Sequence, residues 1–176
     1  SAVDGGTART AIPRAATAIF VCKKSHAEQC RADFSDFQQN VQSELAHSET
    51  GCVLTLSEVE GKSLRVISQI ETQTALRLLV ALPHGIAAMS AEFPGSIETS
   101  NNIGIVELRE DRLLIVSTHR SSIFSRLEEI VSRVEALAWL AGAKTERTKL
   151  FRPWQANMES PILKRCVDAY RTVHEK

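Results

Sequence analysis

The chain has 176 residues, 43% of them hydrophobic, and its 21 basic side chains balance 21 acidic ones for a formal charge of zero. That length suits one domain with a real apolar core, and a neutral chain has no whole-molecule field to recruit nucleic acid or an anionic membrane. Aromatics make up 5% and are not interleaved with basic residues, which argues against a base-stacking groove, and no apolar run approaches the roughly 18–20 residues that span a bilayer.

Taken in order, the chain opens at Ser1 without methionine and runs into Gly5-Gly6, which reads as a segment cut from a longer protein. The apolar stretch Ala15–Cys22 after Pro13 predicts a strand. Lys23 and Lys24 follow that stretch rather than precede it, the wrong order for a signal peptide. Ser25 with Glu28 predicts a capping box. Ala27, Cys30, Phe34, Phe37, Val41 and Leu45 then form one apolar helical stripe. Cys52, Leu54 and Leu56 alternate with Thr55 and Ser57 as a half-buried strand would. A helix is expected from about Leu64 to Leu82, stopped by Pro83-His84-Gly85, and a loop over 86–94. Glu98–Leu108 and Leu113–His119 read as a β-hairpin turning at Glu110-Asp111. Ser122–Ala141 is the cleanest helix, with Gly142 as its stop. Residues 144–150 alternate like an exposed edge strand, Pro153-Trp154 marks a boundary, and Ser160-Pro161 opens a last helix to about His174. A hairpin beside long amphipathic helices, with no repeating parallel crossover, predicts an α+β fold, an antiparallel sheet with helices packed mainly on one face.

A two-residue turn at Glu110-Asp111 would pair Leu108 with Leu113, Val106 with Ile115, Gly104 with Ser117, Asn102 with His119 and Asn101 with Arg120. The far end of the hairpin then gathers Ser100, Asn101, Asn102, Ser117, Thr118, His119 and Arg120, a polar cluster suited to a site. Arg120 stands out because a guanidinium meets a carboxylate with two parallel donors; a solvated or salt-bridged arginine at a helix entry is the plainer reading. His119 is read in the same two ways, since a lone strand histidine is more often structural. Gly104 inside a strand suggests a bulge or a close backbone approach.

Other chemistries find no support. The cysteines at 22, 30, 52 and 166 contain no CxxC pair, so they read as reduced, mostly buried thiols rather than a zinc site or disulfide framework. The five histidines, His26, His47, His84, His119 and His174, show no metal-binding spacing. No nucleophile elbow, phosphate-binding glycine loop or local cysteine–histidine signature occurs, which leaves a complete serine or cysteine hydrolase without a nucleophile.

Several strings, in one order, carry a resemblance. Residues 5–14 (GGTARTAIPR), 78–85 (LLVALPHG), 98–104 (ETSNNIG), Arg120-Ser121-Ser122, 141–144 (AGAK), Pro153-Trp154-Gln155 and Ser160-Pro161 resemble successive landmarks of aminoacyl-histidine dipeptidases. These Xaa-His dipeptidases are zinc exopeptidases of the superfamily that includes aminoacylase and succinyl-diaminopimelate desuccinylase. The resemblance implies a ferredoxin-like lid or dimerisation domain over 1–152, incomplete at its N-terminus, and a segment over 153–176 returning to the catalytic domain. It implies hydrolysis of Xaa-His or other short peptides by a cytoplasmic parent that holds zinc, with no catalytic residue, metal ligand or cofactor in this chain.

Substrate contacts carry over residue by residue. Arg120 matches the lid arginine that holds the substrate's terminal carboxylate, and Asn102 matches a family asparagine in the strand. Thr10 stands where the family has a substrate-contacting asparagine, so a shorter hydroxyl replaces an amide; His119 precedes Arg120 and joins this set. The implied partners are the rest of the catalytic domain, a short peptide substrate and a second copy covering an open sheet edge, with neither nucleic acid nor membrane. The competing reading is a free-standing α+β module that binds a ligand or oligomerises without activity.

Overall fold

The computed structural model describes residues 2–59, 66–109, 112–148, 151–154 and 157–174. In chain order these form β1 (Ala2–Gly5), β2 (Ala16–Ile19), a 3-10 turn over Lys24–His26, α1 (Ala27–Leu45), α2 (Gln69–Ala81), β3 (Gly85–Met89), β4 (Ile97–Arg109), β5 (Arg112–Ser121), α3 (Phe124–Leu140) and α4 (Pro161–His174). The fold is α+β, with every strand pairing antiparallel.

Strand β4 organises the sheet. One of its edges pairs with β5 along its length, from Thr99–Ser121 to Arg109–Arg112. Its other edge is shared: β1 pairs at Val106 and Glu107, β3 pairs between Ile97 and Asn101, and β2 extends the sheet beyond β1. Between β1 and β3 that edge is therefore open over residues 102–105.

The hairpin register matches the expected one only near the turn. Leu108 faces Leu113 and Val106 faces Ile115, but a bulge between Ile103 and Ile105 shifts every later pair by one. Ile103 faces Ser117 in place of Gly104, Asn102 faces Thr118, Asn101 faces His119 and Ser100 faces Arg120, which corrects the pairs predicted from Gly104 onward. The extra residue is Gly104, and a bulge moves one strand past its partner by a single position. Glu110-Asp111, the expected turn, lies outside the described residues.

Helix α3 lies against β5, and α2 against α3. The entry to α3 is tied to the sheet by Ser121, whose Oγ is 2.9 Å from the Thr99 Oγ1 and accepts from the Ile123 N–H at 3.0 Å. Leu127, Ile130 and Ala138 of α3 are buried together with Leu82 after α2, and Thr99 and Asn101 of β4 are buried too. Gly142 ends α3 with a φ of 70°. The Ala143 N–H reaches the Ala138 carbonyl and the Gly142 N–H the Trp139 carbonyl, the paired bonds that close a helix on a left-handed glycine.

Elsewhere local chemistry departs from expectation. The capping box forms at the head of α2, where Ser68 Oγ accepts from the Glu71 N–H and the Glu71 carboxylate accepts from the Ser68 N–H at 2.8 Å. At α1 the 3-10 turn intervenes and His26 caps without a side-chain bond, so Ser25 and Glu28 form no box. Residues 52–56 form no strand; Gln38 of α1 donates to the Leu54 carbonyl at 2.9 Å, and Arg31 pairs with Glu58. A helix lies where a partner strand would be needed.

The expected loop at 86–94 is β3 over its first part. The expected edge strand at 144–150 is not one over 144–148, because Arg147 is drawn onto α3; 149–150 lie outside the described residues. The helix expected from Leu64 begins at Gln69, with Leu64 itself outside the described residues. Strand β1 has no counterpart in the sequence reading. The four cysteines are free but less buried than expected, Cys22 and Cys166 being exposed and Cys30 and Cys52 half-buried. No described helix is long and apolar enough to cross a membrane.

Candidate functional site

The β1–β2 connection, residues 6–15, crosses the hairpin where the β4 edge is open. A close approach of backbones fixes it. Gly6 has a φ of 78°, and a Cβ there would lie 2.0 Å from the Gly104 carbonyl oxygen. A Cβ on Gly104 would lie 2.4 Å from the Arg9 carbonyl oxygen and 2.7 Å from that of Ala8. Two side chains then grip the loop around one residue: Thr118 Oγ1 donates to the Arg9 carbonyl and Asn102 Nδ2 to the Ala11 carbonyl, both at 2.8 Å. Thr10 is held between these anchors.

On the other side of the open edge, the chain enters β3 at His84-Gly85. The Ile103 N–H donates to His84 Nδ1 at 3.2 Å, and Asn101 Nδ2 donates to the Gly85 carbonyl at 3.1 Å. Between loop and β3 opens a cleft of about 210 Å³ lined by Thr10, His84, Ser100, Asn102, Thr118 and Arg120, among others, with no carboxylate among the described residues of its wall. A larger hollow of about 560 Å³ lies under the loop and the β1–β2 hairpin, but most of its lining is alanine, threonine and isoleucine rather than convergent polar groups.

The bulge sorts the polar cluster onto two faces, since directly opposed residues share a face. Ser100, Asn102, Thr118 and Arg120 share one, and Asn101, Ser117 and His119 the other. Of the residues singled out from sequence, the cleft therefore brings together Thr10, Asn102 and Arg120, and leaves His119 on the opposite side. His119 Nε2 lies 3.0 Å from Ser117 Oγ, while its Nδ1 is buried without a partner. Burial pushes the ring below the usual histidine range.

Arg120 is exposed and has no ion-pair partner among the described residues. Arg147 shows the contrast: it spans the Glu135 carboxylate at 2.6 and 2.8 Å and reaches Glu128 at 3.0 Å, and these bonds hold the Glu135 carboxyl below its usual range. One arginine is consumed by the fold; the other stands at a cleft where the described residues supply donors and no competing acid. Such a site suits an anion with planar geometry, above all a carboxylate.

The sequence reading passed over His84. It lay inside a helix-stopping Pro-His-Gly triplet, and only the pairing of β3 with β4 brings it beside Arg120. Among the described residues no three His, Cys, Asp or Glu side chains converge as a metal site would require.

No protein-family model matches the chain. Over 173 residues it is 32% identical to the cytosol non-specific dipeptidase of Escherichia coli strain K12, a match that covers 98% of this chain and 36% of that protein. Its fold superposes on the crystal structure of the aminoacylhistidine dipeptidase from Vibrio alginolyticus with a TM-score of 0.90 and 26% identity, covering 99% of this chain and 35% of the other. The chain thus resembles one continuous portion of these dipeptidases in sequence and in fold, and spans just over a third of their length.

Proposed function

We propose that this dipeptidase-like segment is the lid of a zinc-dependent dipeptidase acting on Xaa-His or other short peptides, and that its share of the work is to hold the substrate's terminal carboxylate. The observation that carries this reading is the cleft itself: an Arg120 guanidinium flanked by the Thr10 loop and the Asn102 and Thr118 anchors, with neither an ion-pair partner nor an acid in the wall among the described residues. The E. coli and V. alginolyticus proteins are named as dipeptidases, and a dipeptide presents a carboxylate one residue from its scissile bond. An enzyme that fixes that carboxylate limits substrate length, and a contact made equally in the bound substrate and the transition state appears in KM rather than in kcat.

Among the described residues no metal-binding cluster converges, so no metal step is assigned to them, and on this reading the zinc is held by the remainder of the protein. Residues 1–152 are the lid on this reading, and 153–176 lead back to the catalytic domain. The exposed Ile162, Tyr170 and Val173 along α4 support that division, because they recur at helical spacing and offer an apolar face to a partner.

The test is steady-state kinetics on the intact protein with a histidine-containing dipeptide. Arg120→Ala should raise KM roughly 30- to 100-fold, the loss expected for about 2–3 kcal/mol of charge-assisted hydrogen bonding, and change kcat much less. The isolated segment should show no zinc-dependent turnover. Turnover by the segment alone, or an Arg120→Ala variant with unchanged KM, would remove this reading.

A further inference from the structure

We propose that His84 is the second donor of the cleft, so that the peptide carboxylate lies between the His84 Nε2–H and the Arg120 guanidinium; this rests on the reading of the cleft given above. The tautomer follows from one bond. The Ile103 N–H donates to His84 Nδ1 at 3.2 Å, and a ring nitrogen that accepts carries no proton. The neutral imidazole must then bear its hydrogen on Nε2.

That bond has a structural cause. The β4 edge is open between β1 and β3, and the Ile103 N–H there has no strand to pair with; a buried or half-buried amide needs some acceptor. An asparagine could supply one. The imidazole supplies it and extends further, carrying a second polar atom that no described residue engages. His84 is exposed and lines the same cleft as Arg120. With Nδ1 held by the sheet, its ring is fixed before a ligand arrives, which lowers the entropy lost on binding.

Stoichiometry also fits. A carboxylate has two oxygens and about four lone-pair directions. A guanidinium edge satisfies two of them, and a donor from the facing wall takes a third. Ser100, Asn102 and Thr118 also line the wall; Thr118 Oγ1 gives its one hydrogen and Asn102 Nδ2 one of its two to the loop, whereas His84 offers a donor whose ring is already fixed by the sheet.

The two functions of His84 can be separated by substitution in the intact protein. His84→Asn keeps an acceptor for the Ile103 N–H and loses the reach of Nε2–H. Its KM for a dipeptide should rise about tenfold, with kcat and the melting temperature close to those of the parent. His84→Gln keeps a donor near the Nε2 position and gives up the Nδ1 acceptor, so it should retain more of the affinity than His84→Asn while melting lower. With the terminal carboxylate replaced by a carboxamide, parent and His84→Asn should bind equally poorly. Unchanged KM in His84→Asn, with Arg120→Ala still strongly impaired, overturns the role of His84 and spares the cleft. Unchanged KM in both variants overturns the cleft reading and this one together. A glutamine variant weaker in KM than the asparagine variant also counts against the proposal, because it would place the binding effect on the acceptor.

Discussion

At the scale of single residues, burial decides which groups can respond to pH. His119 is half-buried on β5, and loss of water disfavours its charged form. Its folded-state value is therefore depressed below the ordinary histidine value of about 6.5. Between those two values the unfolded chain binds more protons than the folded one. Stability must then rise with pH through this window, be complete above about 6.5, and fall as acid drives protonation. Urea midpoints measured from about pH 5 to 8 should show that slope, and His119→Gln should flatten it. A slope unchanged by the substitution would assign the acid sensitivity to other groups. The same logic separates His119 from the cleft. The ring resists protonation and bonds Ser117 on the face away from Arg120, so it lies outside the cleft.

At the scale of elements, the bulge at Gly104 couples the sheet to the cleft. One extra residue in β4 shifts the register, turns Ser100, Asn102 and Arg120 to the same face, and leaves room for the Arg9 carbonyl to lie where a Cβ would be. Gly104→Ala places a carbon 2.4 Å from that backbone oxygen, and no flexible side chain can yield. The expected cost is about 2–4 kcal/mol of stability by chemical denaturation, with the Thr10 loop displaced and dipeptide KM raised. A stable variant with unaltered KM would show that the loop position does not matter to the cleft.

This element also marks how far the sequence could be read. The long helices and the hairpin were legible because their apolar spacing is strong and local. A possible bulge at Gly104 was legible too, as a glycine in a strand, but its effect on register was not, since the count of residues alone does not say which face an inserted residue takes. Strands β1 and β3 were missed for a related reason. They are four and five residues long, rich in alanine and glycine, and owe their extension to pairing with β4. The segment around Leu54 failed in the opposite direction: it has the alternation of a strand but meets a helix. Thr10, Asn102 and Arg120 were picked out from sequence, whereas His84 depended on a pairing between distant segments.

At the scale of the whole molecule, apolar surface is the dominant fact. Val80 is 88% exposed, Trp154 84% and Trp139 78%, and no large side chain among the described residues is completely buried. Soluble proteins seldom leave so much large apolar surface facing water without a partner to cover it. The relatives it resembles are almost three times as long, and on the proposed reading their remaining mass supplies the cover. The two tryptophans make this measurable. In variants retaining only Trp139 or only Trp154, fluorescence of the isolated segment should show the red-shifted emission of hydrated indole and strong quenching by iodide. In the intact protein, with its other tryptophans replaced, Trp154 beside the return to the catalytic domain should move to the blue and resist quenching. Trp139, near the end of α3, tests whether the cover extends along that helix. If both indoles stay equally quenchable in the intact protein, the exposed surface faces no catalytic domain. A free-standing module whose apolar faces meet a second copy would then be the better account, and emission that shifts on dilution would identify it.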